Sequence, residues 1–253
     1  MPYSKLAYVY DVLMEDAPYD EWQTFINDSI TKYNPHAETV LDLGCGTGEM
    51  SIRLSQEGFR VTGVDNSEDM LSYAQDQAND QRANVEYLQQ DIRHLEGFMD
   101  YDVITSLCDV INYITEVTDL QAVFTNVAKA LSKDGVFIFD VHSPRYIDEE
   151  MVGGTFAEIY DDLSYLWLCE AGEEKGEVIH DLTFFIEDED TGLYQRFDET
   201  HIQRTFPVWK YRWLLEQAGL QIKSIHADFS VEPTQHPEMG DRIFFVCMHQ
   251  SNR

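Results

Sequence analysis

Residues 40–50 read Val-Leu-Asp-Leu-Gly-Cys-Gly-Thr-Gly-Glu-Met: a short apolar run, three glycines spaced two apart, then a helix-forming segment. Few folds accept such a stretch. A buried strand that turns straight into a helix needs residues free to adopt left-handed backbone angles. Glycine supplies that freedom and also lets the chain approach a ligand closely. The helix that follows offers unpaired N–H groups at its start, which suit an anion such as a carboxylate. An ordinary glycine-rich strand-to-helix turn is the competing account.

The pattern around the turn sets the fold class. Strand signals at residues 40–43, 59–64, 85–88, 101–107 and 136–139 alternate with helical ones. Met50 and Leu54 lead to a stop at Gly58. Ser67 caps a stretch whose apolar face is Met70, Leu71, Ala74 and Ala78. Leu120, Val123, Phe124, Val127 and Leu131 make a third helical stripe. Alternation of this kind implies a parallel sheet with right-handed crossovers. Ligands bind such sheets at the carboxyl ends of the strands, where the strand order reverses.

After residue 150 the period drops to about two. Phe156/Ile159, Tyr165/Trp167, Val178 to Phe185 and Tyr194 to His201 alternate, with polar breaks at 171–177 and 188–192. This predicts three antiparallel strands. Pro207 opens a last helix carrying Tyr211, Leu214 and Leu215, and strands at 221–229 and 242–248 follow. The expected organisation is α/β. Residues 1–150 and 206–253 form the main domain, with a helical lid over 1–36. Residues 151–205 form an antiparallel β subdomain that covers a substrate or builds a homodimer face.

The charge around the glycines narrows the class of ligand. The glycines run G-x-G-x-G, Asp42 and Glu49 flank them, and residues 33–52 hold no Lys or Arg. Acidic flanks suit a cationic ligand better than a diphosphate, which argues against a nicotinamide dehydrogenase. VLDLGCGTG resembles motif I of class I S-adenosylmethionine (SAM)-dependent methyltransferases. The phrase CDVINYI, with Tyr8-Val9-Tyr10-Asp11 and Tyr19-Asp20-Glu21-Trp22, narrows the likeness to the YqeM-type group. The layout is also similar to sugar N,N-dimethyltransferases and glycine N-methyltransferases. The class-level resemblance spans residues 38–143, while the insertion and tail match in layout alone.

The resemblance implies a Rossmann-like fold: a seven-stranded mixed sheet flanked by helices, with a small antiparallel β-sheet inserted after strand five. It implies SAM as cofactor. Asp42, Gly44, Cys45, Gly46 and Gly48 would surround the methionine part. Asp65, with Asn66, would take the ribose hydroxyls, a bidentate task suited to a carboxylate. Met70, Asp91 and Ile92 would frame the adenine. Leu107 and Cys108 would face the sulfonium, and the Tyr10 ring, attractive to cations, would close over it with Tyr3 and Tyr8.

Methyl transfer is an in-line displacement, so the protein contributes mainly geometry and exclusion of water. A hydroxyl or ammonium acceptor benefits from a base. Asp109, Asn112 and His142 are the candidate catalytic residues, with His201 a further base; His180 reads as structural. Tyr146, Tyr165, Trp167 and Arg204 are candidates for the acceptor pocket. A non-catalytic SAM-binding or assembly protein and an enzyme acting on a protein acceptor are the other readings.

The 47 acidic and 17 basic residues give a net charge of -30. Such a surface repels nucleic acid and anionic membranes, so a small-molecule acceptor is expected. The four cysteines show no metal-ligand or C-x-x-C spacing. Reduced thiols, no signal segment and no spanning run predict a cytoplasmic protein without a metal.

Overall fold

The computed structural model describes residues 5–14, 16–188 and 191–250. Tyr3 and the side chain of Tyr8, two of the expected lid rings, lie outside the described residues. Helices α1 (Lys5–Leu13) and α2 (Tyr19–Tyr33) precede the alternating region. There follow β1 (Thr39–Leu43), α3 (Glu49–Gln56), β2 (Arg60–Asp65), α4 (Glu68–Gln81), β3 (Val85–Gln89), β4 (Tyr101–Ser106), α5 (Val117–Ala130) and β5 (Leu131–His142). After the short α6 (Pro144–Tyr146) come β6 (Thr155–Ile159), β7 (Leu163–Ala171), β8 (Glu177–Asp188) and β9 (Leu193–Arg204). The chain finishes with α7 (Val208–Gln217), β10 (Leu220–Ala227) and β11 (Arg242–His249).

The main sheet has seven strands in the order β10-β11-β5-β4-β1-β2-β3. Strands β1 to β5 pair in parallel, and β11 is antiparallel to both β5 and β10. The order reverses between β1 and β4, which puts the glycine turn after β1 at the switch point. Alternate residues of β5 go to opposite faces. Val136 and Ile138 pack with Trp22, Phe25 and Ile26 of α2. Phe137 and Phe139 pack with Phe124 of α5 and Tyr211 of α7. Phe139 stacks on Phe245 at 4.7 Å between ring centres. Each such ring removed from water contributes about 1.5–3 kcal/mol.

The insertion between β5 and α7 is a four-stranded antiparallel meander, β6-β7-β8-β9, where the sequence pattern predicts three strands. The missed break is a tight reversal at residues 160–162, where Tyr160 N–H donates to Leu163 C=O at 2.7 Å. Tyr-Asp-Asp makes that turn without glycine or proline, so the usual punctuation is missing. One face of the meander buries Leu163, Leu182, Phe184 and Ile186 against Val9 of α1. Its other face exposes Leu166, Leu168, Phe185 and Ile202 in part, between charged residues such as Asp181 and Asp198. Among the described residues, no helix is long and apolar enough to cross a membrane.

Candidate active site

The glycine turn is forced by its surroundings. Gly44 has φ +72°, and a Cβ there would lie 2.4 Å from Val110 Cγ1. Gly48, the residue before α3, has φ +86° and would meet the Tyr87 hydroxyl at 2.4 Å. Asp65 at the end of β2 ties the turn down. Its Oδ2 accepts from Gly46 N–H at 3.0 Å and its Oδ1 from Ser67 N–H at 2.9 Å. Each oxygen keeps a lone pair for a further donor. Ser67 Oγ in turn accepts from Met70 N–H at 3.3 Å, capping α4.

A small cleft opens beside the turn. Gly44, Cys45, Leu107, Cys108, Tyr10 and Tyr19 line it, with Asp42 and Glu49 behind. The Tyr10 ring lies over the turn, 3.9 Å from where a Cβ on Gly46 would sit. The walls are aromatic and acidic, which suits a cation. Asp42 is buried and pinned: Ser51 Oγ donates to it at 2.7 Å and Thr105 Oγ1 at 2.9 Å. Burial pushes its carboxyl up despite those donors. Asp42 therefore shapes the cavity by joining β1 to α3 and β4. The buried Thr47 hydroxyl at the turn makes no hydrogen bond within the protein.

On the other side of Asp65, Met70 is half-buried, Asn66 is exposed and Ile92 is buried. Asp91 caps the turn at Ile92–His94 and is gripped by its own neighbour, with Arg93 Nη2 2.6 Å from Oδ2. Donation from Arg93 holds the Asp91 carboxyl below the usual range. The pairing with Arg93 leaves Asp91 less free to reach a base than the sequence suggests.

The strand end after β4 is strained. Cys108 and Asp109 both have left-handed backbones, φ 56° and 55°. Each such non-glycine residue costs on the order of 1–3 kcal/mol and persists only where the surroundings hold it. Arg242, at the start of β11, supplies that hold. Its Nη2 donates to Asp109 Oδ1 at 2.9 Å and its Nη1 to Asp140 Oδ2. Asp140 Oδ2 also accepts from Asp109 N–H at 3.3 Å. Gln203 Nε2 donates to Asp109 Oδ2 at 2.7 Å. Burial pushes the Asp109 carboxyl up, but His142, Arg242 and Gln203 more than offset it, so it stays below the usual carboxylate range.

His142 Nε2 lies 3.4 Å from Asp109 Oδ1. Tyr146 stacks on the imidazole at 4.9 Å. Burial lowers the His142 pKa to about 4, so the ring is neutral near pH 7. A hydrogen on Nε2 would face Asp109 at that distance and leave the lone pair on the other ring nitrogen. That Nδ1 is buried and has no partner in the protein.

Of the three candidate catalytic residues, the fold brings Asp109 and His142 together. Asn112 is a brace between them and the insertion. Its Oδ1 accepts from His142 N–H at 3.0 Å and its Nδ2 donates to Arg204 C=O at 2.9 Å. His201 faces Tyr113 instead, at 5.9 Å between rings. Among the acceptor-pocket candidates, Tyr146 joins the site. Tyr165 reaches Glu158, and Arg204 is paired with Glu174. Asp140, Gln203 and Arg242 were not legible as site residues. Asp140 and Arg242 interrupt otherwise apolar strands, the one available signal.

The chain matches the family model described as "Methyltransferase domain" over residues 40–135. The Bacillus subtilis (strain 168) protein named "Putative methyltransferase YqeM" is 42% identical over 97% of this chain and 96% of its own length. A protein of Geobacillus sp. (strain WCH70) named "Putative methyltransferase GWCH70_2453" is 41% identical over 98% of this chain and 99% of its own length. A SAM-dependent methyltransferase from Clostridium acetobutylicum ATCC 824 superposes with a TM-score of 0.87 at 29% identity, covering 98% of each chain. SAM-bound CalS10, an amino pentose methyltransferase from Micromonospora echinaspora, shares the fold at a TM-score of 0.74 and 17% identity, over 96% of each chain. Relatives that match over nearly their whole length, on a cavity walled by glycines, acids and tyrosines, make the chain a YqeM-like class I methyltransferase, an enzyme whose cofactor is S-adenosylmethionine.

Proposed function

We propose that the enzyme methylates nitrogen or oxygen of a small-molecule acceptor, with His142 taking the proton that the acceptor gives up. The observation that carries this reading is the buried, unpartnered Nδ1 of a neutral His142 aligned by Asp109. An N–H or O–H donor on the acceptor would supply the partner that nitrogen lacks within the protein. The cofactor, when bound, supplies an electrophilic methyl group on a sulfonium.

The chain's own residues do the rest. The peptides of Gly44 to Gly48 and the Asp65 carboxylate would hold the amino acid and ribose ends, with Met70 and Ile92 beside the adenine. Tyr10 and Tyr19 exclude water and favour the cation. Asp109 is a positioning residue: it orients the imidazole and stabilises it once protonated. Asn112 positions the same ring through its backbone.

The site also selects by charge. Arg242 is neutralised by Asp109 and Asp140. Arg204 meets Glu174, and Arg145 meets Asp241, Glu149 and Glu150. These guanidinium groups are already matched by carboxylates, which disfavours a phosphorylated acceptor. A metabolite screen with methyl-labelled SAM tests the proposal. Label should pass to a neutral or cationic small molecule with the wild type and fail with His142→Gln. Transfer to a polypeptide alone, or undiminished transfer by the variant, overturns it.

A further inference from the structure

The inner face of the inserted sheet carries a row of polar side chains, two of them buried where apolar ones would have fitted without penalty. Trp167 on β7, His180 on β8 and Gln203 on β9 sit side by side on its inner face. His180 and Gln203 are each 4% exposed, among Leu163, Val178, Leu182 and Phe184. Burying a polar group costs free energy unless it is hydrogen-bonded. Here every partner is present. Trp167 Nε1 lies 3.1 Å from His180 Nδ1, and Cys169 Sγ lies 3.4 Å from the same nitrogen. His180 Nε2 lies 3.2 Å from Gln203 Oε1, and Gln203 Nε2 lies 2.7 Å from Asp109 Oδ2.

The row has a direction. An indole N–H can only donate. His180 Nδ1 must therefore carry the lone pair, and its hydrogen sits on Nε2. That hydrogen takes the carbonyl of Gln203, which turns the Gln203 amino group toward Asp109. The opposite amide orientation would set a carbonyl oxygen against the carboxylate. With Gln203 and Arg242 donating to Asp109, the carboxylate is fixed where it meets the His142 ring at 3.4 Å.

We propose that Trp167, His180 and Gln203 form a one-way hydrogen-bond relay from the inserted sheet, whose task is to position Asp109 and so fix the tautomer of His142. The insertion is then part of the reaction machinery as well as a cover. These three are positioning residues, since they act through Asp109. The inference rests on the reading that His142 takes the acceptor's proton.

The test is two-bond proton–nitrogen NMR of the SAM-loaded protein, with His142 and His180 assigned by substitution. Both rings should show the Nε2–H form in the wild type. Trp167→Phe keeps the aromatic volume and removes only the donor. It should mix the His180 tautomers and broaden or mix those of His142. SAM affinity should stay within about twofold, well below the tenfold that 1.4 kcal/mol would give. Gln203→Met breaks the row one step later and should disturb His142 while leaving His180 in the Nε2–H form. Either variant suffices if the other fails to fold. A His180 that carries its hydrogen on Nδ1 in the wild type overturns the relay, as does a His142 unaffected by both variants. If those tautomers respond but His142→Gln still transfers methyl groups, the base reading fails and the relay stands. If His142→Gln is dead and the tautomers never move, the relay fails alone.

Discussion

The glycine turn and the Asp109–His142 pair stand at the same end of the main sheet, yet they are made differently. The turn comes from consecutive residues 40–48 and one carboxylate, Asp65, from the neighbouring strand. The pair is assembled from the loop after β4 and from β5, β9 and β11, whose contributing residues Asp109, Asp140, Gln203 and Arg242 are scattered along the chain. The turn uses backbone geometry that only glycine accepts. The pair uses a buried charge cluster to hold two strained residues. A motif fixed by backbone conformation tolerates little change at its glycines. A cluster fixed by side chains from distant segments depends on every one of those segments being in place.

This contrast breaks most visibly at Arg242. Arg242→Met leaves Asp109 and Asp140 buried without their counter-charge, and should lower stability by about 3–5 kcal/mol, read from the urea midpoint. A loss under 1 kcal/mol would mean the acceptor half is not held by that cluster. The pH dependence of stability sharpens the same half. His142 is neutral when folded, with a pKa of about 4 against an ordinary value near 6.5. The unfolded chain binds the proton first as pH falls, so stability declines from about pH 6.5 toward pH 4, by on the order of 2–3 kcal/mol from this ring. The depressed Asp109 carboxyl acts in the same sense below its unfolded value. His142→Gln should flatten the decline between pH 6.5 and 4.5; a curve parallel to the wild type would place a protonated ring in the native site. Smallest is Ser67→Ala, which removes the α4 cap and should cost about 0.5–2 kcal/mol of stability. Its effect on transfer should follow SAM occupancy, not the proton step.

Legibility followed the same division. The alternating strands, the caps and the glycine turn were readable because each depends on neighbours close in sequence. The period of two revealed the insertion, but its first turn lacks glycine and proline and merged two strands into one. The pairing of Asp91 with Arg93 was not legible because it depends on side-chain conformation. Asn112 read as catalytic because a polar residue after a buried strand looks free, and its two backbone partners lie on other elements. The partners of His180, Trp167 and Gln203, were not legible because they come together only through strand register.

Calorimetric titration with SAM on three proteins tests the division of labour most directly. Asp65→Ala should bind roughly tenfold to 150-fold more weakly than the wild type, the equivalent of about 1.5–3 kcal/mol for hydrogen bonds to a charged group. His142→Gln should bind SAM as the wild type does while losing methyl transfer. Wild-type affinity in Asp65→Ala, or a loss of SAM binding in His142→Gln as large as that expected for Asp65→Ala, would contradict the account.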